Sequence, residues 1–335
     1  IRAFVLRSND SFKRTGMLFP VIIGSVITLN TFFIIYKGAK GLGLDDTPFD
    51  IAAGWSFGIG LLMAILTLPF TRSIQNKIND KINQAIDLDD VKEGSVFEVE
   101  EQTTDLVPST KPANSCCSAI GKHLSDNMNV NIDNIVKNNE RVTDIHEGAE
   151  KFDEKTEEYF KSLQIFTAIC DSFSHGANDV ANAIGPFAAI YMIGRDGVVH
   201  KKNELGDDGY WILGMGGLGI ALGLALYGYK IIHAIGLKLC KITPSRGVAI
   251  ELSSAMVIIA GSRLEIPLST THCQIGSTVG VAMLEDPKKC SGMNWTIIGK
   301  TIAGWILTLV VVGSSTAVLT AQGTYAPEVG LNHCN

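Results

Sequence analysis

Long apolar runs set the frame of this chain. Met17–Tyr36, Ile51–Thr71, Gly209–Tyr229 and Thr301–Ala321 contain no Asp, Glu, Lys or Arg. Each run is about 20 residues, which as a helix rising 1.5 Å per residue matches a hydrocarbon core of about 30 Å. The pattern predicts four membrane-spanning helices. The third run also carries glycines at 214, 216, 217, 219, 223 and 228, a composition that lets helices approach closely.

Elsewhere the pattern departs from this in two ways. Residues 72–161 are polar, rich in Asn, Asp, Glu and Lys. Ile74, Ile78, Ile82 and Ile86 recur every fourth residue there, which predicts an amphipathic helix at the start of the segment. Thr103–Ser118 is expected to be disordered, and 133–161 partly helical. The second departure lies inside apolar sequence. Leu163–Ile193 is interrupted by Asp171, His175 and Asp179, and by Gly176, Gly185 and Pro186, which predict a broken helix. Residues 247–262 carry Glu251, Ser253 and Ser254, and Ile266–Leu284 opens on Pro267 and the run Ser269-Thr270-Thr271-His272. The fold class is therefore all-α: a polytopic transmembrane bundle with broken or re-entrant helices.

Charge orients this bundle. Arg2, Arg7, Lys13 and Arg14 precede the first span, and Arg72, Lys77 and Lys81 follow the second. Lys and Arg concentrate on the cytoplasmic side, so both ends of this hairpin, and with them the 72–161 loop, are expected there. The net charge of −6 belongs to that loop, which holds 11 Lys and Arg against 19 Asp and Glu. Nothing in this distribution suits nucleic acid. The seven cysteines form no CxxC pair and no even framework, so free thiols are expected. No Walker A motif, metal-binding Cys/His spacing or hydrolytic triad is present, so neither ATP-driven pumping nor an enzyme is expected, and no resident cofactor.

A carboxylate or carboxamide in hydrocarbon costs several kcal/mol unless something satisfies it. The run His175-Gly176-Ala177-Asn178-Asp179-Val180-Ala181-Asn182 concentrates that cost. Helical spacing puts Asn178 and Asn182 on one face, with Asp179 one step round. Oxygens of this kind suit a hard cation such as sodium; equally, they suit a polar clamp between helices. Ser269 is expected to cap a helix that starts within the membrane. Thr270 and Thr271 would then sit on its first turn, where free N–H groups and the helix dipole favour an anion such as phosphate. Glu251 is read either as a cation ligand or as a proton carrier. His175, His272 and Asp171 are secondary candidates, read first as structural hydrogen-bonding groups.

Read together, HGANDVANAIGP at 175–186, RGVAIEL at 246–252 and IPLSTTHC at 266–273 closely resemble, in order, blocks of the inorganic phosphate transporter (PiT) family, sodium- or proton-coupled phosphate permeases. The lead-in LQIFTA at 163–168 fits as well. The resemblance implies an architecture of two inverted repeats. This chain would be its C-terminal part, with one copy of each motif. Residues 1–71 would be a transmembrane hairpin ending the N-terminal half, and 72–161 the large acidic cytoplasmic loop. Residues 162–321 would be the C-terminal transmembrane repeat, and 322–335 a short polar tail. It further implies phosphate binding by Ser269, Thr270, Thr271 and Asn182, and cation binding and coupling by Asn178, Asp179, Asn182 and Glu251, with sodium at Asp179, Asn178 and Glu251. The expected partners are inorganic phosphate, sodium, the bilayer and the absent N-terminal repeat, with a homodimer as the candidate assembly. The plasma membrane is the expected location. Sodium-coupled phosphate symport is the leading function. Proton coupling and a non-transporting phosphate sensor or inactive paralogue are the alternatives.

Overall fold

The computed structural model describes residues 1–36, 47–93, 139–198, 209–264, 266–284 and 292–325. Among these residues the chain is helical and contains no strand. After a π-helical turn at Arg2–Leu6 come α1 (Ser11–Ile35), α2 (Phe49–Glu93), α3 (Glu140–Gly148) and α4 (Glu154–Asp196). Then follow α5 (Tyr210–Gly223), which runs on through π-helical and short α segments to Leu237, α6 (Pro244–Arg263), α7 (Thr270–Met283) and α8 (Trp295–Tyr325). Among the described residues, four helices are long and apolar enough to cross a membrane: Ser11–Phe32, Phe49–Asp80, Tyr210–Gly228 and Trp295–Tyr325. They coincide with the four apolar runs. The stretch around Thr103–Ser118, expected to be disordered, lies outside the described residues.

Helices α1 and α2 form a close hairpin. A Cβ on Gly60 would lie 1.8 Å from Thr28 Oγ1 and 2.6 Å from the Gly24 carbonyl, so only glycine fits there. Small residues at a crossing let backbones meet in lipid, where apolar side chains alone give no preference for each other over acyl chains. Near one end of the hairpin, Phe19, Ile23, Ile78, Tyr159, Phe160, Leu163 and Val248 form a buried apolar cluster. The Tyr159 ring meets Phe12 and Phe19 edge-on at 6.0 and 5.2 Å. This cluster joins α1, α2, α4 and α6.

Polar contacts fix the entry into α4 and α6. Asp153 caps α4 by accepting the Thr156 N–H at 3.0 Å and its hydroxyl at 2.7 Å. One turn on, Glu157 accepts the Ser245 N–H at 3.0 Å, the Ser245 hydroxyl at 2.6 Å and the Thr243 hydroxyl at 3.2 Å. A carboxylate on α4 thus satisfies the N-terminus of α6, the end of the helix where negative charge is favoured. Arg246 donates to the Glu150 and Lys241 carbonyls, tying the α3–α4 connection to the same place.

One expectation is corrected. The segment 175–186 is not broken: α4 is continuous from Glu154 to Asp196, with Pro186 inside it. Interior glycines cost about 1 kcal/mol each, which packing against α6 and α5 can offset. Pro186 removes a single hydrogen bond, the one its N–H would give to the Asn182 carbonyl four residues earlier. The interruption is thus local, one backbone carbonyl released by the helix. The chain instead breaks between α6 and α7, where Leu264 and Ile266 donate back to Gly261 at 3.1 and 3.0 Å and Ser269 starts a new helix. At 14 residues α7 is about 21 Å long, short of a full crossing.

Candidate functional site

A polar stripe on α4 faces α6 and the α6–α7 turn. Its members are Gln164, Thr167, Asp171, His175, Asn178 and Asn182, spaced three or four apart and so on one helix face. From one end to the other their partners change. Thr167 donates to one oxygen of Glu251, and Gln164 to the other at 3.5 Å. His175 Nε2 lies 3.0 Å from the Ser254 hydroxyl and 3.1 Å from Asp171 Oδ1. Asn178 accepts from the Ser262 hydroxyl at 3.0 Å.

At the far end the stripe grips the α6–α7 turn. The side-chain amides of Asn178 and Asn182 both donate to the Leu268 carbonyl at 2.9 Å. The Leu268 side chain in turn packs on Gly261, where a Cβ would meet it at 2.0 Å. Beside them the Thr270 hydroxyl donates to the Asp179 carboxylate, 3.0 Å from one oxygen and 3.1 Å from the other.

The helix start that follows is built as expected. Ser269 is the N-cap of α7, accepting the His272 N–H on its hydroxyl at 3.4 Å, while the Cys273 N–H bonds the Ser269 carbonyl at 3.1 Å. With the His272 N–H taken by Ser269, the N–H groups of Thr270 and Thr271 are the two first-turn donors that neither the helix nor its cap satisfies. Thr271 and His272 are exposed, and the His272 ring stacks on Trp305 of α8 with centroids 3.6 Å apart. A cleft of about 530 Å³ opens against this turn, lined by Asn30, Ser174, Asn178, Asn182, Ser262 and Pro267.

The structure therefore brings together Asn178, Asp179, Asn182, Ser269 and Thr270. It does not bring Glu251 to them. Glu251 is held against Thr167, which precedes Asp179 by twelve residues, about 18 Å along α4. It lines a second cavity of about 610 Å³ together with Asp171 and Gln274. The expected sodium trio of Asp179, Asn178 and Glu251 is split between two places, because α6 runs alongside α4 and Glu251 lies about three turns before the α6–α7 turn. Asn30, Gln164, Thr167, Ser254 and Ser262 were not among the expected residues. Gln164 and Thr167 could have been found by extending the three-and-four spacing back from Asp171. Asn30 stood out only as a carboxamide in an apolar span.

An all-α membrane protein with four apolar spans among the described residues, and a cleft beside the α6–α7 turn edged by Asn178 and Asn182, is the class that fold and site define. Residues 1–316 match PHO4, the Phosphate transporter family, and the chain belongs to that family, one of transporters and not of enzymes. It is 39% identical over 214 residues to the "Sodium-dependent phosphate transporter" of Toxoplasma gondii, covering 56% of this chain and 24% of that protein. It is 40% identical over 193 residues to the "Phosphate-repressible phosphate permease pho-4" of Neurospora crassa, covering 56% of this chain and 32% of that one. To the human "Sodium-dependent phosphate transporter 1" it is 39% identical over 166 residues, covering 50% of this chain and 24% of the relative. The matched region thus spans only a quarter to a third of these relatives. A solved structure of "The sodium-dependent phosphate transporter" has the same fold, with a TM-score of 0.63 at 22% identity over 96% of this chain and 60% of that one.

Proposed function

We propose that the protein to which this chain belongs carries inorganic phosphate across a membrane together with sodium. The observation that carries this reading is the Asp179 carboxylate hydrogen-bonded to Thr270 at the N-terminus of α7. A helix start with two free N–H groups favours a tetrahedral anion. A carboxylate beside it does not. Two like unit charges about 4 Å apart repel by about 4 kcal/mol at an effective dielectric constant of about 20. Phosphate and ionised Asp179 therefore share the site only when a cation lies between them. The ligands for that cation are oxygens: the Asp179 carboxylate, the Asn178 carboxamide and the Asn182 carbonyl that Pro186 leaves without its helical bond. Sodium as the ion is supported by the relatives named sodium-dependent.

In this reading Thr270, Thr271, Ser269 and Asn182 hold phosphate, Asp179 and Asn178 couple it to sodium, and Glu251 serves the same coupling from its own cavity. Access alternates as α4 and the α6–α7 turn rock against the remainder of the bundle. That remainder includes an N-terminal repeat beyond this chain, and two protein copies form the assembly. Residues 1–71, 72–161, 162–321 and 322–335 are the hairpin, cytoplasmic loop, repeat and tail, in the plasma membrane.

Uptake of radiolabelled phosphate into proteoliposomes holding the full-length protein tests the reading. Inward sodium should drive accumulation and an equal choline gradient should not. Accumulation that ignores sodium and follows an imposed proton gradient would replace sodium with protons. No accumulation under either gradient, with phosphate still bound, would leave a sensor.

A further inference from the structure

Helix α8 meets the region of α7 at two places. Near the C-terminal end of α7, Ile298 of α8 packs on the buried cluster of Cys240, Ala282 and Met293. At the start of α7 the His272 ring lies on the Trp305 ring, with centroids 3.6 Å apart and planes 23° from parallel. Beyond the first of these places α8 is bare. From Ile302 to Tyr325 every residue except Trp305 is exposed. Trp305 is therefore the point at which the outer two thirds of α8 engages the described bundle. Among the described residues neither ring nitrogen of His272 has a hydrogen bond, so the stack is what orients this side chain.

His272 is a consequential place to grip. It is the third residue of α7, and its own N–H makes the bond to the Ser269 hydroxyl that caps the helix. Between cap and histidine stand Thr270 and Thr271, whose unsatisfied N–H groups give this end its attraction for an anion. A side chain on the first turn cannot shift far without turning those two N–H groups with it, because about 3.6 residues close one turn. The same turn is tied to α4 by the Thr270 hydroxyl on the Asp179 carboxylate. The start of α7 is thus fixed from two sides, by a polar bond to α4 and by a ring stack to α8.

We infer that Trp305 is a positioning residue for phosphate binding, acting through the His272 ring to hold the first turn of α7 in the orientation that presents Thr270 and Thr271. The inference rests on phosphate binding at that helix start. It makes α8 the element against which the start of α7 is set, through one aromatic side chain on an otherwise exposed helix.

Trp305→Leu keeps apolar bulk and deletes the ring. In proteoliposomes holding the full-length protein, it should raise KM for phosphate by about three- to tenfold, the weight of one aromatic pair, with the maximal rate near wild type. His272→Ala should give the same change. His272→Phe keeps a ring to stack and should leave KM within about twofold of wild type. Trp305→Leu added to His272→Ala should raise KM no further, because residues that act through one contact are not additive. Unchanged KM in Trp305→Leu overturns the inference, as does a double variant whose loss is the product of the two singles. If Trp305→Leu does not fold, the histidine pair decides: His272→Phe as impaired as His272→Ala, or His272→Ala at the wild-type KM, overturns it. The two proposals fail separately. Wild-type protein that accumulates no phosphate, yet binds ³²P-phosphate in equilibrium dialysis more tightly than Trp305→Leu does, sinks the transport reading alone. Sodium-driven uptake with KM indifferent to Trp305 and His272 sinks the positioning role alone.

Discussion

Asp179 and Thr270, ninety-one residues apart in the chain, join α4 to α7: the threonine hydroxyl donates to both carboxylate oxygens, at 3.0 and 3.1 Å. The bond places negative charge against the end of α7 that attracts anions. Asp179→Asn removes the charge and keeps the shape. A hydrogen bond to a charged group is worth about 1.5–3 kcal/mol, a factor of about 10–150. Sodium-driven phosphate uptake should fall by about that factor or more, with surface expression unchanged. Undiminished uptake would remove Asp179 from coupling.

Thr270 separates a role in binding from a role in packing. Thr270→Val keeps the branched shape and deletes the donor, while Thr270→Ser keeps the donor and deletes a methyl group. Uptake kinetics should show KM for phosphate raised about tenfold in the valine variant and near normal in the serine variant. The reverse order would mean that the buried methyl group matters and the hydroxyl does not.

What the sequence displays best is local. Apolar length located the four spans, and Ser269 ahead of a helix start could be read as a cap because the whole motif lies within four residues. What it hides depends on distant pairing. Nothing near Glu251 in the chain says that Thr167 and Gln164 will hold it, and only the side-by-side packing of α4 and α6 sets it apart from Asp179. Pro186 misled for another reason. A proline inside a helix looks like a break, but at this position it takes away one bond and α4 continues helical on both sides of it.

The α1–α2 hairpin allows a contrast between two glycines on one helix. Gly60→Ala would drive its Cβ to 2.6 Å from the Gly24 carbonyl, a backbone atom that cannot swing away. Overpacking of this kind costs about 1–3 kcal/mol. Gly54 has nothing within 4 Å, and Gly54→Ala should be neutral or gain about 0.5–1 kcal/mol from helix propensity. Thermal unfolding in detergent should rank Gly54→Ala at or above wild type and Gly60→Ala clearly below it.

Outside the membrane, Glu150 accepts from Arg2 and Arg7 at once and ties the turn before α1 to the α3–α4 connection. Hydrogen bonding from Arg7, then from Arg2, with their positive charge, outweighs burial and holds the Glu150 carboxyl below its usual value of 4.5. A depressed carboxyl stabilises the fold fully above the unfolded value and loses that contribution as pH falls through the folded one. Wild-type protein should therefore lose thermal stability below about pH 4.5, and Glu150→Gln, already lacking the charge, should show a shallower loss over that range. Identical slopes would mean that the two arginines contribute nothing there.

Glu251 and Asp179 should act independently if they belong to two cavities. Thr167, which donates to Glu251, precedes Asp179 by twelve residues, about 18 Å along α4, and the polar contacts of the two carboxylates share no partner. Sites so far apart normally add to within about 0.3–0.5 kcal/mol, whereas ligands of one ion couple more strongly than that. Glu251→Gln, Asp179→Asn and the double variant can be compared by their sodium affinity at fixed phosphate. The double variant's loss should equal the product of the two single fold-changes, to within about twofold. A double variant no worse than the weaker single one would put both carboxylates on the same ion, and would require α4 and α6 to shift against each other during transport.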